Sequence, residues 1–169
     1  MSKAALKKEF AGMTREQIIQ IVLDAYAARK EVREYFDFFI DPDVDKLMEK
    51  TIARIDKELM RGKHGRSTSR ITLVRRAIKD FASFDPGAEY VMRVMLETLR
   101  HILEREKYIY FKESFEKGTH KIVSDIIAYA DAHAMVQNTM SSLHDMARDM
   151  QLGTASFRNR LLGRFMGIS

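Results

Sequence analysis

Ala88-Glu89-Tyr90-Val91-Met92-Arg93-Val94-Met95-Leu96-Glu97-Thr98-Leu99-Arg100-His101-Ile102 is the stretch that decides the fold class. Within it Ala88, Met92, Met95, Leu99 and Ile102 recur at steps of four and three. That spacing stacks them on one face of a helix over four turns. A half-buried strand would need alternation with period two, and no segment of the chain alternates over a useful length. Asn-Gly and Asp-Gly, the strongest hairpin signals, are absent. The reading is therefore all-α, without strands.

Just before this stretch, Phe84-Asp85-Pro86 ends one helix and opens the next, because Asp caps a helix and Pro suits its first turn. Upstream, Ile71, Val74, Ile78 and Phe81 mark a helix from about Ser69 to Phe84. Downstream, a break near Lys107 to Lys112 leads to a helix carrying Phe115, Ile122, Ile126 and Tyr129. Another follows with Val136, Met140, Leu143, Ala147 and Met150, stopped by Gly153. A last short helix, Ser156 to Met166, sets Phe157, Leu161, Leu162 and Phe165 against Arg158, Arg160 and Arg164. It is expected to dock on its own domain or across a dimer, with an anionic membrane or a partner as the alternative.

Toward the N-terminus the Asp-Pro device recurs as Asp41-Pro42, opening a helix to about Met60 with Val44, Leu47, Met48, Ile52 and Ile55 inward. Thr14 with Gln17 three residues on has capping-box spacing. The helix it opens is expected to run to Ile40, with Ile18, Val22, Ala25, Val32, Phe36 and Phe39 on one face. A short helix from Ser2 to Gly12 precedes it. The two Asp-Pro turns lie 44 residues apart, the period range of HEAT-like helix pairs. The expected architecture is one all-helical domain, 1–169, of about seven to eight helices. Stacked antiparallel hairpins, HEAT-like or an irregular bundle, would pair near 14–60, 69–107 and 113–150.

Composition narrows the chemistry. Hydrophobic residues make up 46% and charged residues 31% of 169, a globular balance. The absence of cysteine excludes disulfides, thiolate metal sites and a cysteine nucleophile. No apolar run approaches the roughly 20 residues of a membrane span, and the N-terminus lacks a signal-like apolar region, so a cytoplasmic location is expected.

The net charge of +5 is local. No acidic residue lies between Glu58 and Asp80, while Arg61, Lys63, Arg66, Arg70, Arg75, Arg76 and Lys79 supply seven positive charges. The remainder is about −2 (5 − 7). A glycine-flanked loop running into a helix N-terminus offers N–H groups and a favourable dipole to an anion. These seven residues are the candidate anion- or partner-binding site. A solvated basic face fits the same pattern, and the segment shows neither interleaved aromatics nor P-loop spacing.

Other constellations are thinner. Glu97, His101 and Glu104 align along one helical face, but no second Glu-x-x-His pair completes a di-metal set, so no metal and no cofactor is expected. No serine sits in a Gly-x-Ser-x-Gly context, and no catalytic residue is assigned. Met92, Met95, Met140 and Met150 fall on core stripes. Tyr108, Tyr110 and Phe111 cluster at a helix break, where they either close a junction or contact a ligand.

Leu6-Lys7-Lys8-Glu9, Tyr26-Ala27-Ala28-Arg29-Lys30-Glu31, Phe38-Phe39-Ile40-Asp41-Pro42-Asp43 and Asp45-Lys46-Leu47 resemble a family of small bacterial proteins known only as a domain of unknown function. Arg66, Arg75-Arg76-Ala77-Ile78-Lys79 and Phe81 extend the likeness, which covers mainly residues 1–85 and loosens after about Tyr108. The resemblance implies a helical fold and a bacterial, cytosolic context, and no activity. The family's basic loop tends to hold Gly-Arg-Pro or Gly-Lys-Pro, whereas this chain has Gly62-Lys63-His64-Gly65-Arg66-Ser67.

The functional expectation is a non-catalytic binding or scaffolding module, with a protein partner or the protein itself as ligand. Nucleic acid or phosphate, through the basic 61–79 segment, is the alternative. A metal-dependent enzyme comes third.

Overall fold

The computed structural model describes residues 2–64 and 66–150; the expected C-terminal helix Ser156 to Met166 lies outside the described residues. Among them are eight helices: α1 (Lys3–Ala11), α2 (Arg15–Ala28), α3 (Lys30–Ile40), α4 (Val44–Leu59), α5 (Ile71–Ala82), α6 (Ala88–Glu106), α7 (Glu113–Ala132) and α8 (Val136–Met150). The architecture is all-α, as the periodicity predicts. The exception is a two-residue hairpin, β1 (Gly62–Lys63) and β2 (Arg66–Ser67), where no strand was expected. The chain divides into two compact units, Met1–Asp43 and Val44–Ser169.

In the first unit, Thr14 and Gln17 form the expected capping box, Thr14 Oγ1 accepting the Gln17 N–H at 3.2 Å. The expected continuous helix from Thr14 to Ile40 is two helices, because Arg29 is extended (φ −129°, ψ 120°). No Gly or Pro marks this break. Polar contacts across it hold it instead: Tyr26 Oη donates to Asp37 Oδ1 at 2.6 Å, and Arg33 Nη2 donates to Ala27 O at 3.2 Å. The Arg33 guanidinium also lies 5.6 Å from the Tyr26 ring centroid. The carbonyl that α2 leaves open at its end is thus satisfied by a side chain of α3.

The second unit is built around α6, which touches α4, α5, α7 and α8. Its buried residues are Val91, Met92, Val94, Met95, Thr98, Leu99, Ile102 and Leu103. That is wider than the predicted single stripe, because a helix surrounded on several sides buries more than one face. Around it pack Ile55 and Leu59 of α4, Val74, Ala77 and Phe81 of α5, and Phe115, Ile122 and Ile126 of α7. Among the α8 side chains described, Thr139, Leu143 and Met146 are buried, while the expected Val136 is 46% exposed; the expected Ala147 and Met150 lie outside the side chains described.

The two Asp-Pro turns differ. Asp41 is the C-cap of α3, its N–H bonded to Asp37 O, and α4 begins only at Val44. Asp85 is left-handed (φ 53°), and Gly87 (φ 102°) is the N-cap of α6. The same dipeptide thus sits on two different backbones, and neither Asp takes the N-cap role the sequence predicts.

Candidate functional site

The seven basic residues divide into two groups. Arg61, Lys63, Arg66 and Arg70 belong to the loop between α4 and α5, and Arg75, Arg76 and Lys79 to α5.

The loop is folded back on itself by Glu58, in the last turn of α4 with only 11% of its side chain exposed. Glu58 Oε1 accepts the Arg70 N–H at 2.8 Å, and Arg70 Nε lies 3.7 Å from the same oxygen. Glu58 Oε2 accepts from Arg61 Nη1 at 3.2 Å. Arg70 is the N-cap of α5, so the anion favoured at this helix N-terminus is the protein's own carboxylate. The expected phosphate cradle there is occupied from within. Ser67 Oγ accepts the Ser69 N–H at 3.0 Å, and Thr68 N–H donates to Arg61 O at 3.1 Å, which closes the loop's base.

The hairpin pairs Gly62 with Ser67 and Lys63 with Arg66, and Arg66 bridges in parallel to Tyr110 in the α6–α7 connection. Ser67 N–H donates to Tyr110 O at 2.9 Å. Gly62 and Ser67 face inward: Ser67 is buried, and a Cβ on Gly62 would lie 2.5 Å from Arg66 O and 2.6 Å from Ile109 Cδ1. At the turn His64 is left-handed (φ 53°), a place usually taken by Asn, Asp or Gly, which is why no hairpin signal is visible in the sequence. The aromatic cluster splits. Phe111 is buried and stacks on Phe115 with centroids 4.2 Å apart, whereas Tyr108 and Tyr110 are 75% and 67% exposed. Tyr108 and Tyr110 are the functional candidates that sequence spacing cannot attach to the basic loop, since about 40 residues separate them.

On α5, Arg75 is half-buried, its Nη2 3.0 Å from Asp125 Oδ2 of α7. Arg76 and Lys79 are exposed and make no ion pair among the described residues. Together these three border an open groove of about 650 Å³ between α5, α6 and α7, floored by Ile78, Val91, Met95 and Ile122. Tyr129 lies across it; burial, and then the Asp85 carboxylate, push its phenol above the ordinary value.

The metal candidates do not converge. His101 Nδ1 meets Asp56 Oδ1 at 2.5 Å, and its Nε2 lies 3.7 Å from Glu97 Oε2. Glu104 pairs instead with Lys107. No cluster of three potential ligands occurs among the described residues.

The first unit presents another kind of surface. None of its described residues is buried, and Ile19, Ile21, Leu23, Tyr35, Phe39 and Ile40 are between 40% and 76% exposed. Phe39, expected on the inner face, is 72% exposed.

A family model described as a family of unknown function, DUF6155, matches residues 1–160. The chain belongs to that family. The DUF6155 match continues well past the 1–85 stretch that carries the resemblance, so the basic loop, Tyr110 and the α5–α7 groove all lie within it. No curated protein and no solved structure matches the chain. No helix among the described residues is long and apolar enough to cross a membrane.

Proposed function

We propose that the protein is a non-catalytic binding module that associates with a second copy of itself through α2. The observation that carries this reading is a helix with a wide apolar surface and no buried residue. Of the 14 residues in α2 only Arg15, Glu16 and Asp24 are charged. Ile18, Val22, Ala25 and Tyr26 are half-buried, while Ile19, Ile21 and Leu23 remain exposed. A wide apolar helix surface is stabilised when covered, and exposed large apolar side chains on it mark an interface.

The pattern is self-complementary. About a two-fold axis at Ile21, antiparallel pairing places Ile19 of each copy against Leu23 of the other, as an isologous contact requires. Self-pairing also brings no like-charge cluster together, since this register sets Glu16 of each copy opposite Tyr26 of the other. The test is sedimentation equilibrium of the full chain beside Ile19→Glu and Leu23→Glu. The expected outcome is a concentration-dependent dimer that both substitutions reduce to monomer with unchanged far-UV circular dichroism. A wild-type chain that stays monomeric at every accessible concentration would sink the reading.

A further inference from the structure

The outward face of the small hairpin has a chemistry that neither the loop nor the α6–α7 connection has alone. Directly paired residues of neighbouring strands project on the same side. Lys63 pairs with Arg66, and Arg66 bridges to Tyr110, so the three form one row. At about 4.8 Å per strand the row is about 10 Å long. All three residues are exposed, and the residues of opposite phase, Ser67, Ile109 and Phe111, are all buried. Tyr108, 75% exposed, stands two residues before Tyr110. Lys63 and Arg66 make no ion pair among the described residues, unlike Arg61, Arg70 and Arg75.

We propose that this row, Lys63–Arg66–Tyr110 with Tyr108 beside it, binds single-stranded nucleic acid. An exposed phenol ring gives an unpaired base a face to stack on, and an ammonium and a guanidinium at one strand spacing meet the flanking phosphates. A duplex offers phosphates but no free base face, so the row selects single strands. An acidic protein would use the cations and leave both tyrosines idle. The row lies in the second unit and does not depend on the self-association proposed above.

The test is fluorescence anisotropy of the full-length protein with labelled oligo(dT), oligo(U) and a duplex of equal length, at about 50 and about 200 mM salt. Single strands are expected to bind more tightly than duplex; the better of the two homopolymers identifies DNA or RNA. Two phosphate contacts predict about a sevenfold weakening over that salt range. Tyr110→Ala is expected to weaken binding about 5- to 150-fold, while Tyr110→Phe, which keeps the ring, retains it. Lys63→Ala with Arg66→Ala weakens binding and flattens the salt dependence; Arg76→Ala with Lys79→Ala, at the groove, leaves both unchanged. Thermal midpoints check the fold, and if Tyr110→Ala lowers its midpoint, Tyr108→Ala, off the bridge, must weaken binding instead. The proposal is overturned by duplex binding as tight as single strand, by tyrosine variants that bind like wild type, or by no binding at about 50 mM salt. It is equally overturned if polyglutamate competes as well as an oligonucleotide of equal charge, which would make the surface one for acidic proteins.

Discussion

Gly118 sits in the middle of α7, where glycine costs about 1 kcal/mol relative to alanine. A Cβ there would lie 2.4 Å from Ile71 Cγ1 and 2.6 Å from Ile71 Cγ2, at the start of α5. Those are branch atoms close to the backbone, so relief requires the two helices to move apart. Overpacking of this kind costs about 1–3 kcal/mol, more than the gain in helix propensity. Gly118→Ala is therefore expected to lower stability by about 1 kcal/mol in urea denaturation. Ile71→Ala, which removes both γ carbons, combined with Gly118→Ala should cost less than the sum of the two single changes, a non-additivity that an effect confined to α7 would not produce. Glu58 is a second residue whose place makes no local sense. A carboxylate in the last turn of α4 opposes the helix dipole, yet it bonds the Arg70 amide and the Arg61 guanidinium. Glu58→Ala is expected to cost about 1.5–3 kcal/mol, and Glu58→Gln, which keeps an acceptor, less. Amide exchange at Arg70, faster in the alanine variant, would place the loss at the loop.

The junction of α2 and α3 shows what local rules miss between elements. The Tyr26 phenol is held above its ordinary value of 10.0, first by its hydrogen bond to Asp37 and then by desolvation and the Asp37 charge. A raised phenol favours the folded form while protonated. Its contribution is therefore complete below the ordinary phenol range and fades as pH rises through the raised value. In an ultraviolet phenolate titration Tyr26 and Tyr129 are expected to ionise above the ordinary phenol range, and Tyr26→Phe should remove one of these two late steps. Should the late component keep its full amplitude in that variant, the Tyr26–Asp37 bond does not persist in solution. Helix existence was legible almost everywhere: α4 to α8 each begin within a few residues of the place their apolar spacing predicts. The break at Arg29 was not, because no Gly or Pro encodes it and the groups that hold it, Tyr26, Arg33 and Asp37, act across the turn. On α8 Leu143 is buried as the spacing predicts, whereas Thr139, which counts as polar in a hydropathy pattern, is almost fully buried as well.

Across the whole molecule, the proposed self-association has a thermodynamic signature. A dimer that covers α2 only when paired makes the thermal midpoint rise with protein concentration by mass action. That dependence is expected in the wild type and should vanish in Leu23→Glu; a midpoint independent of concentration in both would speak against pairing. The basic segment illustrates the division between sequence and structure most directly. The excess of positive charge between Glu58 and Asp80 is a property of the chain and was plain from the residues. So was the all-α class, because helical periodicity is local and repeats over many turns. What the cations do was decided in three dimensions. Glu58 takes Arg61 and Arg70, Asp125 takes Arg75, Arg76 and Lys79 border a groove, and Lys63 and Arg66 align with Tyr110. Apart from the Glu58–Arg61 pair, three residues apart, these outcomes depend on partners that the chain brings together only on folding. Charge and periodicity are written along the chain, whereas pairing depends on distances through space that only the packed helices set.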